Sequence, residues 1–402
     1  MPIKETPKTN LSLMESVDKL FLRFLLGKNK IYREGEYNDG LSTDEFDNKD
    51  VDPVEDSMKD ALKERILLDV EKERVMREAA DKRLKDKRHA LLLHYFQQSL
   101  LKVINSKLAN NQNVILEQLQ LRDSTSELLQ KLLAGEPRYS TLASLLDCDI
   151  GTRNRLLSLV GSEDFMSSLG RTQRKVRDTQ SAIGLIGVEI LRYLVPAILF
   201  KHRISTHSYH NPLFARKLWR YEMTLGQTCT ALLLAENYRR PYEGMLLSVM
   251  VNFAYVASYH QFLSSFEYVR TAYLNQMRER DEKLKHDFFY NIQTDAASLQ
   301  ALLISQSNLK LSLSISNSLF SKSFPHLVNA LKEEVDAIPF EVRSKMGKVL
   351  FKAIRFAKFD QLRASRLFKP EWLEQYLKES QIDPKTYKAL LRQELFRFKP
   401  IW

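Results

Sequence analysis

From Val54 to Ala134 the chain runs without a single glycine or proline. The residues that most readily end helices are absent from that run, and the 402-residue chain holds only 12 Gly and 12 Pro, so long helices are the expected elements. Met58 to His89 is dense in Lys, Glu, Arg and Ala, all good helix formers. Its apolar positions, Leu62, Ile66, Val70, Met76, Ala80 and Leu84, are spaced too loosely for a sustained heptad. A long, charged, solvated helix is therefore expected over 56–112, preceded by residues 1–55. In that first segment Leu11 to Leu26 is a short apolar helix candidate, and EGEYNDGLSTDEFDNKDVDP is too acidic and too poor in apolar residues to repay ordering.

Gly244 to Phe266, GMLLSVMVNFAYVASYHQFLSSF, imposes the second constraint, because it contains no Asp, Glu, Lys or Arg. Its length suffices for a membrane span, which needs about 20 apolar residues. Ser248, Asn252, Ser258, His260, Gln261, Ser264 and Ser265 interrupt it, however, and no Lys/Arg cluster flanks it. A packed core helix is the expected outcome, and 44% apolar residues supply enough material for one sizeable core. Cys148 and Cys229 form neither a disulfide framework nor a metal spacing, and each is expected as a small core residue. With no recognisable secretory signal, a cytoplasmic protein is expected.

Charge is distributed unevenly about a net of +11. Tyr32 to Asp60 carries three Lys/Arg against eleven Asp/Glu, whereas Glu341 to Trp402 carries fifteen against seven. On a helical wheel Lys345, Lys348, Lys352 and Arg355 fall in one sector, opposite Leu350, Ala353, Ile354 and Ala357. That basic amphipathic helix is a candidate surface for nucleic-acid phosphates, an anionic lipid surface or an acidic protein. The plainer alternative is a docked helix with a solvated basic face. The acidic segment at 32–60 is also placed to cover this helix as an intramolecular counterion.

After Leu128 amphipathic segments alternate with the breaks GEPRYS, DCDIGT, GSEDF, HRISTHSYHNP and NYRRPYEG, with helix starts expected at Ser140 or Thr141 and at Thr152. In SNLKLSLSISNSL, Leu309, Leu311, Leu313 and Ile315 alternate as in a strand. His202, His207 and His210 lie close together, but no Cys, Asp or Glu accompanies them, so surface histidines are expected rather than zinc ligands. No G-x-G-x-x-G, P-loop, nucleophile elbow or H-E-x-x-H motif occurs.

The order of four segments carries a resemblance. Asp149 to Ser162, then AIGLIGVEILRYLV, then Leu218 to Gly226, then Ser248 to Tyr255 follow one another as do the motif helices of the HDOD domain, a bacterial signalling relative of the HD phosphohydrolases. Ala182, Ile183, Ile186, Gly187, Leu191, Arg192 and Val195 fall in register with the second of these motifs. The resemblance implies an all-α bundle over 113–320, makes 309–319 helical despite its alternation, and leaves 321–402 as a basic helical appendage. It also implies that Tyr221 and Glu222, and Asn252 and Phe253, stand where metal-binding relatives keep ligands. A divalent cation needs carboxylate oxygens or imidazoles converging on one point, and neither Asn252 nor Phe253 provides one. No metal or other cofactor is therefore expected. The expected function is a non-enzymatic regulator that works through protein contacts, with a metal-dependent phosphohydrolase and a nucleic-acid-associated regulator as the alternatives.

Overall fold

The computed structural model describes residues 12–27, 69–110, 112–135, 137–205, 212–294, 298–299, 302–303 and 308–398. The acidic segment at 32–60, together with His207 and His210, lies outside them. Among the described residues every regular element is helical and no strand occurs. In chain order the helices are α1 (Leu13–Leu26), α2 (Asp69–Asn110), α3 (Gln112–Gln118), α4 (Asp123–Ala134), α5 (Tyr139–Asp147), α6 (Ile150–Val160), α7 (Glu163–Ser168), α8 (Thr179–Ile186) and α9 (Val188–Ser205). There follow α10 (Pro212–Ala235), α11 (Glu243–Glu279), α12 (Lys283–Asn291), α13 (Asn308–Phe320), α14 (Pro325–Val335), α15 (Lys345–Ala364), α16 (Leu373–Glu379) and α17 (Pro384–Leu391). Helix α13 covers the alternating leucines: Ile315, Leu319 and Phe320 are buried at helical spacing, and buried Ser312 sits among them because its hydroxyl donates to Val251 O at 2.6 Å.

Two compact units divide the chain. The second holds 69–110 and 261–298. Its core is aromatic: Phe96 of α2 meets Phe266 at 5.2 Å and Phe289 at 6.0 Å, and Tyr273 stacks on Phe289 at 4.6 Å. Leu100 and Ile104 extend the buried face of α2 at four-residue spacing, while residues 80–88 are exposed, as expected of a charge-rich helix.

The first unit holds 12–27, 112–260 and the described residues from 299 onward, so the C-terminal helices share its core. Its helices are joined by groups that satisfy their ends. Arg192, the motif arginine of α9, donates to Leu132 O at 3.1 Å and to Gly135 O, while Tyr242 donates to Leu133 O at 3.1 Å. Three terminal carbonyls of α4 are thereby matched, which a buried helix end requires. Helix α6 starts one turn earlier than Thr152 suggests, because Asp149 is its cap and accepts from the Thr152 N–H at 3.0 Å. Buried Arg203 holds the other oxygen of Asp149 at 2.8 Å and also donates to Gln120 O at 3.0 Å. Burial raises the Asp149 pKa, but Arg203 and the Thr152 bonds outweigh it and hold the carboxyl below its ordinary range. Between α8 and α9 the axis bends by 117° at Gly187, whose φ of +79° only glycine adopts cheaply. Cys229 is buried as expected, but Cys148 is exposed at the end of α5.

Helix α1 docks on α10 and α15 through Val17, Phe21, Phe24, Leu25 and Leu26. The amine of buried Lys217 fastens its far end, donating to Phe24 O at 2.6 Å and Gly27 O at 2.7 Å. Helix α15 packs on α10 and α14, and Gln361 donates to Lys217 O at 2.9 Å. The uncharged stretch of α11 is buried almost without interruption from Met245 to Leu263. No single described helix is long and apolar enough to cross a membrane.

Two glycines set how closely α10 and α11 approach. A methyl group on Gly226 would meet Met245 Sδ at 2.6 Å and Ser248 Oγ at 2.7 Å, and one on Gly244 would meet the backbone nitrogen of Thr230 at 2.7 Å. Because backbone cannot swing aside, Gly244→Ala is expected to cost about 1–3 kcal/mol, read as a lower urea midpoint.

Candidate functional site

The close crossing brings together two of the four positions singled out in the sequence. Glu222 on α10 is fully buried, and both of its oxygens are occupied by α11: Ser248 Oγ donates to Oε1 at 2.5 Å and Asn252 Nδ2 donates to Oε2 at 2.6 Å. Ser248 and Asn252 are four residues apart and so project from the same face one turn from each other. Burial pushes the Glu222 pKa from 4.5 up to about 7, against the pull of the two hydrogen bonds. No Arg or Lys figures among the causes of that shift. The carboxyl is instead held by two neutral donors, which favour its ionised form, so burial alone favours the protonated acid.

Positions 221 and 253 do not join this cluster. Phe253 stacks on Phe320 of α13 at 6.3 Å. Tyr221 packs against Phe21 of α1 at 4.6 Å and edge-on to Tyr255 at 6.5 Å. Burial drives the Tyr221 hydroxyl well above its ordinary pKa. Beside it lies a cavity of about 80 Å³ bordered by Asp18, Tyr255, Glu334, Arg355 and Lys358. Among the described residues no three His, Cys, Asp or Glu side chains are grouped so as to hold a metal ion. Of the three loop histidines only His202 is described, and its ring lies over Gly151, where a methyl would meet Nε2 at 2.0 Å.

The basic stripe on α15 is on a core helix, and its side chains are engaged within the protein. Arg355 pairs with Glu334 at 2.9 Å and lies over the Phe351 ring at 3.4 Å. Lys348 and Lys352 sit over the Phe340 ring at 5.8 and 5.5 Å. Lys345, the most exposed of the four, donates to Glu236 O at 3.0 Å. Glu334 also pairs with Arg343; burial raises its pKa, but Arg355 and Arg343 prevail and hold it below the ordinary value. The wheel correctly separates polar from apolar residues but cannot reveal aromatic rings and a carboxylate supplied by other helices.

Comparison with known families agrees with this architecture. Residues 119–309 match the model of the HDOD domain family, a signalling-related, HD-like family. No curated protein and no solved structure matches the chain. The matched segment begins at buried Leu119, takes in the Glu222, Ser248 and Asn252 cluster, and ends at the start of α13.

Proposed function

We propose that the chain is a non-enzymatic regulator in bacterial signal transduction, acting in the cytoplasm through protein contacts of a degenerate HDOD domain. The carrying observation is the Glu222 cluster: at positions where the family resemblance implies metal ligands, the one carboxyl is sealed in the core and hydrogen-bonded by Ser248 and Asn252. Phe253 and Tyr221, consumed by aromatic packing, support the same reading.

A protein-contact role is further supported by α2. Leu84, Leu91 and Tyr95 are each at least half exposed and fall within about 40° of one another at 100° per residue, on the face opposite Phe96, Leu100 and Ile104. An apolar stripe with that spacing suits a partner helix. Removing residues 336–402 would strip α15 from the core, so point substitutions are the sounder test. In pull-downs from the native host, full-length protein is expected to retain specific partners that Leu91→Glu and Tyr95→Glu lose, with unchanged melting temperature. Identical partner sets in wild type and variants would remove this surface from the account.

A further inference from the structure

A surface cleft of about 410 Å³ opens where three helices of the first unit begin: α11 at Glu243, α14 at Pro325 and α15 at Lys345. The NYRRPYEG segment forms one wall with Tyr238, Arg239 and Arg240; His326, Asn329 and Lys345 form the others. Three of the lining side chains are basic, Arg239, Arg240 and Lys345, against one acidic, Glu243. Arg239 is exposed and makes no ion pair among the described residues.

Glu243 is committed to the protein. Its buried Oε2 accepts from His326 Nε2 at 2.8 Å and from the Tyr238 hydroxyl at 3.2 Å, and Oε1 faces Arg240 at 3.6 Å. The start of α15 is also already served, since the Ser344 hydroxyl caps Gly347 N–H at 3.0 Å and Glu333 accepts the Ser344 N–H at 3.1 Å. Lys345 lies 3.6 Å from Glu236 but is half exposed, so that pairing is screened by water. The cleft therefore presents the exposed Arg239 guanidinium, with the partly engaged Arg240 and Lys345 beside it.

We propose that this cleft binds a small phosphate-bearing metabolite. The exposed Arg239 fork suits the planar oxygen pairs of a phosphate, and Arg240 and Lys345 place further positive charge beside it. The volume falls in the range of about 300–1,000 Å³ found for small-molecule sites, far more than one phosphate fills, so the ligand carries a further group that packs on Tyr238 and Met346. The cleft joins the matched segment, through residues 238–243, to the helices beyond it, through residues 326–346. Occupancy thus ties the appendage to that segment, which would give the regulator a chemical input.

Isothermal titration of the full-length protein with pyrophosphate, AMP and glucose 6-phosphate tests this, in phosphate-free and sulfate-free buffer. At least one probe is expected to saturate with Kd below about 1 mM. Tighter AMP assigns a nucleotide, tighter glucose 6-phosphate a sugar phosphate, and tighter pyrophosphate the phosphate group alone. Both Arg239 and Lys345 are exposed, so the double variant Arg239→Glu/Lys345→Glu is expected to keep its melting temperature and to weaken binding by about a hundredfold, at tenfold per lost charged contact. No saturation by any probe up to about 10 mM overturns the proposal. Equal affinity in the double variant does so too.

Discussion

Asn252→Asp is expected to lower stability by about 3 kcal/mol at pH 8 and far less at pH 5.5. The substitution replaces the amide that donates to Glu222 Oε2 at 2.6 Å with a second carboxyl in a fully buried site. Two carboxyls at that distance retain one proton between them, and the second ionisation is opposed by both burial and like charge. The Glu222 pKa lies at about 7 in the folded protein against an ordinary 4.5, so the native state binds more protons over that interval and stability falls as pH rises through it. A second raised carboxyl steepens that fall. Urea unfolding of both proteins at the two pH values checks it, and equal midpoints at pH 8 would show that the site tolerates charge.

The second large effect is expected of Glu334→Gln, at about 3–5 kcal/mol, because it leaves two largely buried guanidinium groups without a counter-charge. Arg343 is tied to Ile338 O at 2.7 Å and Arg355 to Phe351 O at 2.9 Å, so neither can withdraw freely into water. Tyr376 donates to Arg355 O at 3.0 Å, which couples α16 to the same group. Here the pH dependence has the opposite sign. A carboxyl held below its ordinary pKa contributes stability that is present above the unfolded-state value and is lost as pH falls through the folded one. Acid unfolding of the variant is expected to lose that component, and an acid limb unchanged from wild type would contradict it.

The sequence alone shows those features that depend on helical period and on breakers. Scarce Gly and Pro give the all-helical class, Leu11 to Leu26 finds α1, and the uncharged stretch finds the buried run of α11. The motif order points to the family whose model matches residues 119–309. Long-range satisfaction is what periodicity cannot show. Asp149 caps α6 through one oxygen, while the other is held by Arg203, fifty-four residues on. Glu222 meets Asn252 across thirty residues because Gly226 and Gly244 let two backbones approach. NYRRPYEG looks like a mere break until His326 and Lys345 are brought beside Arg239 and Arg240. Lys348, Lys352 and Arg355 on α15 look available until Phe340, Phe351 and Glu334 are seen beneath them.

We propose that Glu222 and Asn252, at positions where the family resemblance implies metal ligands, form with Ser248 a closed hydrogen-bonded cluster that has no chemical role. Elemental analysis tests it most directly, on full-length protein purified without chelator from cells supplied with manganese, iron, cobalt, nickel and zinc. The account predicts far less than one equivalent of any of these metals per chain, unchanged by Glu222→Gln. About one equivalent in the wild type, lost in Glu222→Gln, would contradict it and return the site to metal chemistry.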